Sequence, residues 1–575
     1  MDNIPDQPAS TFNLQVPEDL EVVAAELELQ GKYQEAKESY QNALDVGMRV
    51  VGKKHTLVHK CTRHLGRVHL HLGHFAEARQ YCNTAFEMKV QELGDGHPEL
   101  AEDLNELGLV MLEQADYIGT QQCFCRALCI VNDNACLETA KSLYGMGRML
   151  HKQAKLPESE AQHLRALGIR KQVLGDSHVY VAESLIGLVE VMVGKADFSR
   201  AREFATMALE LMQQAFCTDH PKVAMAQFWL GWVKLEQGIF GQAEEHLATA
   251  LAIRKKSFGV EHPDVAQSLD GMGEVLWKQR KFPEAEEYYS DALSIRKSVF
   301  GDCHPDVAQS LNNLGTLMFD AGRLSQAEKY NNQALEIRIR VWGSDHPDIA
   351  HSFNNLGCIM HNQDKLDDAE ECHSKALAIK EHTLGKNHLH VAQSLGNLSC
   401  VMQKQGRLLE AEEHAERAVA IMRQALGDEH LDLSQYHMNF GFILHQQGRF
   451  AQAEEHFRTA QTIVEQVLGD EHPDVANILT WHGIAAFRQE KYSCAEKCHR
   501  RALAIRKLAL GDLDPEVALS LHFLGLVLHE QDKLADAEMV LETCLEIKKR
   551  VLGGDSPDVI AVLSKLDEIR EQMGA

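Results

Sequence analysis

Apolar residues recur along this chain at the spacing of paired amphipathic helices. In the stretch from residue 304 to 345, Leu311, Leu314 and Met318 follow one another at intervals of three and four, which places them on one face of a helix. Gly322 interrupts the pattern, and a second stretch then carries apolar residues at helical spacing: Ala327, Tyr330, Ala334, Leu335 and Ile337. The segment therefore predicts two helices joined by a short turn.

The same hairpin pattern returns along most of the chain. The histidine of a recurring His-Pro pair, or the residue in its place, marks each repeat, and successive markers are 42 residues apart except for one step of 39. The markers are His55, His97, Cys136, His178, His220, His262, His304, His346, His388, His430, His472, Asp514 and Ser556. A fixed period of this length indicates a solenoid, in which each unit packs on its neighbours. With one more hairpin opening near Leu20, the pattern predicts thirteen hairpins.

The residues around each marker predict a helix start. Pro305 suits the first helical position because its missing N–H would have no partner there, and Asp306 complements the positive end of the helix dipole. Gly301 is placed to end the preceding helix. Neighbouring marker histidines would lie roughly 10 Å apart, about one interhelical spacing, which is too far to share a metal. We predict that these histidines serve the helix starts.

Small residues recur at two fixed places in the hairpin. Glycine stands eleven residues after the marker in ten repeats, as at Gly315, and alanine twelve residues further on in ten, as at Ala327. Glycine inside a helix costs about 1 kcal/mol relative to alanine, so its recurrence indicates closely approaching helices. This register, followed by Ala334 and Leu335, resembles the tetratricopeptide repeat, whereas HEAT and armadillo repeats have similar periods without it.

The length of the repeat narrows the resemblance to one group of tetratricopeptide repeat proteins. The usual tetratricopeptide unit is about 34 residues long, and with the joint sequence LGDEHPDVA at 468–476 the chain is similar to the longer repeats of kinesin light chains and nephrocystin-3-like proteins. The resemblance implies an all-α, right-handed superhelical solenoid of about 13 hairpins. The polar, Pro-containing composition of 1–16 predicts a disordered tail. The repeat array is expected at 17–557 with one short repeat near 97–135, and the apolar and polar faces of 558–575 predict a capping helix that would complete the array.

Composition narrows the class of protein. The chain is 45% hydrophobic and 25% charged, with no run of 18 apolar residues and no signal-peptide start, so we expect a cytoplasmic protein that does not bind membranes. Fourteen cysteines without a CxxC pair fit free thiols in a reducing compartment. The net charge of −26 argues against nucleic acid as a partner. Because no heptad seam is evident, we expect a monomer.

No motif predicts catalysis. The sequence has no Walker motif, no dinucleotide-binding glycine fingerprint, no GxSxG and no HExxH. Cys494 and Cys498, four residues apart with His499 beside them, could face a metal from one helix, but no fourth ligand is evident. We therefore predict a protein that is not an enzyme and has no cofactor and no metal site.

Function is then expected on a surface. In tetratricopeptide arrays the first helices line a concave groove, and in similar proteins an asparagine at one groove position binds the backbone of the ligand. An asparagine side chain offers both a donor and an acceptor, so a ladder of them could hold an extended peptide whatever its sequence. The corresponding ladder here is Asn313, Asn355, Asn397 and Asn439. The further predicted contacts are Asn312, Asn354, Gln309, His361, Gln403, Lys404 and His445. A solvated polar face copied by repeat duplication is the alternative.

Charge and aromatic residues refine the expected partner. Acidic pairs such as Glu412-Glu413 fall in the second helices, whereas Asp320 is the one groove carboxylate of the repeats from 304 to 430. We therefore predict a protein or peptide ligand with acidic residues around an apolar anchor. Trp481 and Phe523 could be anchors for such a ligand or members of the core.

The predicted function is a non-enzymatic protein-interaction scaffold or adaptor that binds extended peptide segments in its groove. Two alternatives stay open. The resemblance to kinesin light chains implies a motor cargo adaptor, although about 16 residues stand before the first hairpin where those light chains have a heptad coiled coil. A regulatory subunit or sensor that binds a small molecule or a metal is the other alternative.

Overall fold

The computed structural model describes residues 11–132, 134–195, 197–553 and 556–574, and within these it contains 27 α-helices and no β-strand. They form thirteen hairpins and a last single helix: α1 (Thr11–Leu29), α2 (Tyr33–Val50), α3 (Thr56–His71), α4 (Phe75–Leu93), α5 (Leu100–Glu113), α6 (Tyr117–Ile130), α7 (Leu137–Lys152), α8 (Leu156–Leu174), α9 (Val179–Gly194), α10 (Phe198–Ala215), α11 (Pro221–Glu236), α12 (Phe240–Phe258), α13 (Pro263–Lys278), α14 (Phe282–Phe300), α15 (Pro305–Asp320), α16 (Leu324–Trp342), α17 (Pro347–Asn362), α18 (Leu366–Leu384), α19 (Leu389–Lys404), α20 (Leu408–Leu426), α21 (Leu431–Gln446), α22 (Phe450–Leu468), α23 (Pro473–Phe487), α24 (Tyr492–Leu510), α25 (Pro515–Glu530), α26 (Leu534–Leu552) and α27 (Pro557–Met573). The all-α class and the hairpins are confirmed. The tail predicted at 1–16 overlaps the beginning of α1, and residues 1–10 lie outside the described part.

Two compact units divide the chain between residues 346 and 347. The first unit contains α1 to α16 and the second contains α17 to α27. Within each unit the two helices of a hairpin pack along each other, and the second helix of a hairpin packs on the first helix of the next. This nearest-neighbour packing is that of a solenoid. None of the described helices combines the length and the apolar character that a bilayer-spanning segment needs.

The recurring glycines of the first helices receive a side chain from the second helix. A Cβ atom on Gly315 would overlap Nδ2 of Asn331, and one on Gly441 would overlap the ring of Phe457. Asn331 and Phe457 are both fully buried. The first helix lacks a side chain where the second inserts one, which allows the close packing typical of protein interiors. The packing reason predicted for these glycines is confirmed.

Marker histidines cap the first helices through Nδ1. Nδ1 of His304 accepts a hydrogen bond from the N–H of Asp306 at 3.2 Å, and His430 and His472 make the same bond two residues ahead. A carboxylate oxygen of Asp514 takes this role in the last hairpin. Each cap satisfies one of the N–H groups that a helix start leaves without an intrahelical partner. The structural role predicted for these histidines is confirmed.

In the first unit, three of these histidines also bond to hairpins far earlier in the chain. Their Nε2 atoms donate to the last carbonyl groups of α1, α3 and α5, each 191 residues earlier, in the pairs His220–Leu29 (3.2 Å), His262–His71 (2.8 Å) and His304–Glu113 (3.0 Å). Because Nδ1 accepts in the cap, the proton lies on Nε2, which is the tautomer that can donate. The first unit therefore closes back on itself. Nothing in the repeat pattern predicts these bonds.

Replacing His262 by asparagine should separate the contribution of the helix cap to stability from that of the hydrogen bond to His71. Asparagine is a good N-cap residue, but it does not reach the carbonyl of His71, so we expect the free energy of unfolding to fall by about 1–2 kcal/mol. Urea denaturation measures the loss. The control is His430→Asn in the second unit, where the histidine is exposed and asparagine keeps the cap. Equal losses in the two variants would contradict a stabilising role for Nε2 of His262.

The last helix covers an apolar face of the last hairpin. Val562, Leu566 and Ile569 of α27 are at most 1% exposed and belong to one apolar cluster with Leu541 and Ile547 of α26. The opposite side of α27 is largely exposed. The capping role expected for this helix stays a prediction.

Candidate peptide-binding face

The first helices of the second unit lie next to one another. Helix α19 contacts both α17 and α21, and α25 contacts α23, whereas no second helix of this unit contacts the next second helix to a comparable extent among the described residues. Because the first helices approach one another more closely, they lie on the inner side of this unit. This inner side corresponds to the groove expected from the sequence.

One position of these helices carries the predicted ladder. Asn355, Asn397 and Asn439 are half-buried at this position, and the same position in the next two hairpins holds Trp481 and Phe523. Each residue is 42 positions after the previous one in a helix packed in the same way. The side chains therefore form a row along the inner side, which changes from three amides to two aromatic rings.

Hydrogen bonds within the protein orient the amides. Nδ2 of Asn397 donates to Oδ1 of Asn354 on the neighbouring helix at 2.9 Å, and Nε2 of Gln435 donates to Oδ1 of Asn439 at 3.2 Å. Asn397 thus presents its carbonyl oxygen and Asn439 presents its NH₂ group. An extended peptide offers one N–H and one C=O group per residue, so a row with both an acceptor and a donor suits its backbone.

The other predicted contacts of the second unit surround this row. Asn354 is only 7% exposed and orients Asn397 rather than facing the groove. Nζ of Lys404 is exposed and pairs with the carboxylate of Asp364 at 2.8 Å. Burial lowers the pKa of His361 and of His445, so both histidines are uncharged at neutral pH. Half-buried positions are held by His361, Gln403 and His445.

The remaining predicted contacts lie in the first unit. Nε2 of Gln309 donates to Oδ1 of Asn313 at 2.9 Å. The guanidinium of Arg338, which is 3% exposed, donates to Oδ1 of Asn312 at 3.2 Å and to Oε1 of Gln309 at 3.1 Å. Asn312 and Gln309 therefore hold a buried cation in place. The ladder predicted as one set of four is divided, with three of its asparagines in the second unit.

The aromatic end of the row opens on a cavity of about 270 Å³. Trp481 lines it, is 38% exposed, and meets the ring of Phe442 edge to face with 4.8 Å between centroids. The other apolar walls are Ile484, Leu519 and Phe523. Pockets for drug-sized ligands are about 300–1,000 Å³, so this cavity suits one large apolar side chain. Trp481 and Phe523, which the sequence left between anchor and core, both face it.

A buried arginine forms the polar end of this cavity. Arg506 is 4% exposed and donates to Oγ1 of Thr480 at 3.0 Å and to Oδ1 of Asn477 at 2.9 Å. A carboxylate oxygen of Glu516 lies 3.2 Å from its guanidinium. These bonds hold the charge in the wall, so the cavity presents mainly apolar surface to a ligand.

Sequence reasoning missed a row of buried cations. Arg254 on α12 donates to Oγ of Ser268 on α13 at 2.7 Å, and Lys380 on α18 donates to Oγ of Ser394 on α19 at 3.0 Å. Burial lowers the pKa of Lys380 to about 8. Each cation therefore joins a second helix to the next first helix. The available signal was a charged residue 34 positions after the marker, within the buried face: Arg170, Arg254, Arg296, Arg338, Lys380 and Arg506.

Several solved structures resemble parts of this chain. BtubC (BKLC) from P. vanneervenii is 24% identical, with a TM-score of 0.32 over 40% of this chain and 91% of its own. The TPR-like repeats of a Podosopora anserina kinesin light chain are 24% identical, with a TM-score of 0.32 over 36% of this chain and 98% of their own. A Rap protein complexed with competence and sporulation factor is 17% identical, with a TM-score of 0.46 over 65% and 98%. At these identities and TM-scores the likeness bears on neither partner nor function.

Family models match most of the chain, although no curated protein sequence matches it. A tetratricopeptide repeat model matches nine segments, eight of which overlap a neighbour, and together they span 21–130, 138–214 and 222–508. A second tetratricopeptide repeat model matches 517–558. The hairpins and their glycine contacts described above agree with these matches. The chain belongs to the tetratricopeptide repeat family.

Proposed function

We propose that this protein is a non-enzymatic interaction scaffold whose second unit binds an extended peptide along its first helices. The observation that carries the proposal is the row that leads from Asn355 through Asn397 and Asn439 to the cavity beside Trp481. The asparagines bond to the peptide backbone, and one apolar side chain of the peptide enters the cavity.

The spacing of the row supports an extended ligand. Neighbouring packed helices lie roughly 10 Å apart, and an extended chain rises about 3.3 Å per residue. Successive asparagines can therefore meet backbone groups about three residues apart. Trp481 and Phe523 line the cavity, and aromatic side chains in a partly desolvated cavity are typical anchor sites at interfaces.

The charge beside the row supports acidic residues in the ligand. Lys404 at the end of α19 and Arg488, the residue after α23, are exposed, and the guanidinium of Arg488 lies over the ring of Phe450 at 4.7 Å. Two half-buried acidic residues of the second helices, Glu370 and Glu412, are engaged within the array by Arg407 and Arg449. A carboxylate of the peptide is therefore placed to pair with Arg488 and to compete with Asp364 for Lys404, although the whole chain carries a net charge of −26.

Alanine substitutions in the row should weaken peptide binding in a graded way. Random linear peptides are selected on the full chain, and their affinities are measured by fluorescence anisotropy. Each hydrogen bond contributes about 0.5–1.5 kcal/mol, so one Asn→Ala change should weaken binding a few-fold. The triple Asn355, Asn397 and Asn439→Ala variant should weaken it at least about tenfold. Trp481→Ala should remove the preference for an apolar residue in the selected peptides.

The matched control is Asn332→Ala, which removes an exposed asparagine from the second helix α16. This variant should leave unchanged both the affinity for the selected peptides and the preference for an apolar residue in them. If the triple variant melts like the unsubstituted protein and still binds the selected peptides equally well, the row is duplicated scaffold and the proposal is rejected.

A further inference from the structure

One hairpin of the second unit departs from the others at three positions. The residue ten positions after the marker is Leu, Met or Phe in every other marked hairpin, but it is His482 in this one. The same hairpin has cysteine at both 494 and 498, and no other hairpin has two cysteines at the equivalent positions. A polar ring in a core position is costly unless it has a partner. The three exceptions occur together.

The three side chains meet between α23 and α24. A ring nitrogen of His482 and the Sγ atoms of Cys494 and Cys498 all lie within 4.8 Å of one another. The cysteines share one helix face because they are four residues apart. Tetrahedral Zn²⁺ with bonds of about 2.0–2.3 Å places its ligand atoms about 3.3–3.8 Å apart. Side-chain movements of about 1 Å would therefore complete this part of a coordination shell.

A hydrogen bond orients His482 as a metal ligand needs. Nε2 of Gln461 donates to Glu465 at 2.7 Å, which leaves Oε1 of Gln461 as an acceptor. This oxygen lies 2.9 Å from Nδ1 of His482, so Nδ1 donates to it and carries the proton. The lone pair is then on Nε2. Outer partners of this kind are what fix the ring and the tautomer of metal-binding histidines.

The lone pair of His482 faces a carboxylate. Oε1 of Glu454 lies 3.8 Å from Nε2, while Oε2 of the same carboxylate accepts hydrogen bonds from Gln489 at 2.7 Å and Lys491 at 2.8 Å. Two acceptors that face each other in a largely buried place are favourable when a positive charge lies between them. Glu454, which lies next to His482, is the candidate for the fourth ligand that the sequence did not reveal.

We propose a Zn²⁺ site whose ligands are Cys494, Cys498, His482 and Glu454. Thiolate and imidazole ligands suit Zn²⁺, whereas Mg²⁺ and Ca²⁺ prefer oxygen. Each thiol that binds as thiolate releases its proton to solvent. The ligands belong to α22, α23 and α24, so the ion ties one hairpin to the next. His499, which follows Cys498 in the chain, instead stacks on Phe523 with 5.5 Å between centroids.

Zn²⁺ titration of the reduced, chelator-treated full chain tests the proposal. We expect a single tight Zn²⁺ per chain, and Co²⁺ in its place should show a thiolate-to-cobalt charge-transfer band. His482→Leu restores the residue type that the other hairpins have there, so this variant should fold, and it should bind at least about a hundredfold more weakly. Gln461→Leu removes only the outer hydrogen bond and should weaken binding by about 10- to 100-fold.

The chain offers a matched control in Cys125 and Cys129, which are also four residues apart on one helix and are both exposed. The double Cys125 and Cys129→Ser variant should keep the Zn²⁺ affinity and the cobalt band, and the double Cys494 and Cys498→Ser variant should lose both. A wild-type protein that binds Zn²⁺ no better than His482→Leu would overturn the proposal. So would a cobalt band that survives in the Cys494 and Cys498→Ser variant.

Discussion

Replacing Gly315 by leucine is expected to lower the free energy of unfolding by about 1–3 kcal/mol, the cost of overpacking a close-packed core. A Cβ atom at this position would overlap Nδ2 of Asn331. Asn331 is fully buried and donates to the carbonyl of Ala327 at 2.9 Å, so it has little room to give way. Hydrogen exchange should show lost protection in α15 and α16, because solenoid repeats can open locally.

The matched control is the same substitution at Gly168. This glycine is also inside a helix, α8, but a Cβ atom there would meet nothing within 4 Å. Gly168→Leu should therefore stabilise by about 0.5–1 kcal/mol, since glycine is a poor helix residue. The two variants are expected to change stability with opposite signs. Undiminished protection of α15 and α16 in Gly315→Leu would show that the glycine does not mark the close contact.

Acidification from pH 7 to pH 4.5 is expected to destabilise the array strongly. Burial lowers the pKa of His163 to about 3 and the pKa values of His373 and His499 to about 4. A histidine of the unfolded chain titrates near its usual pKa of about 6.5. Between these values the unfolded chain binds more protons than the folded one, so stability falls as the pH drops from about 6.5 towards 4.

His373→Leu tests this source of the pH dependence. Leucine holds the equivalent place at Leu247 and Leu541, where it faces a glycine as His373 faces Gly357. One pKa unit corresponds to about 1.4 kcal/mol, so His373 accounts for up to about 2–3 kcal/mol of the stability lost between pH 7 and pH 4.5. Urea denaturation at the two pH values should show the variant losing less stability than the unsubstituted protein by this amount.

His382→Leu is the control for this experiment. His382 lies on the same helix, α18, and is exposed, so its replacement should leave the pH dependence as it was. If His373→Leu and the unsubstituted protein lose the same free energy on acidification, the buried histidines are not the cause of the acid sensitivity.

The local pattern of the sequence determined the fold. A solenoid repeat packs only on its neighbours, so the 3.6-residue spacing of apolar residues and the 42-residue period contain most of what decides the architecture. The position of Gly315 relative to Ala327 was sufficient to predict the close contact between paired helices. The row of asparagines was likewise readable, because residues at the same place in equivalent helices occupy equivalent places in the array.

The tertiary structure alone decided the contacts that cannot be read from the repeat pattern. The hydrogen bond from His262 to the carbonyl of His71 spans 191 residues. It depends on how far the first unit turns per hairpin, and the 42-residue period does not specify that angle. The approach of His482 to the two cysteines, and of Glu454 to His482, depends on side-chain directions in three helices. Periodicity specifies which face of a helix is buried, but the partner that a polar side chain meets there depends on the three-dimensional packing of the helices around it.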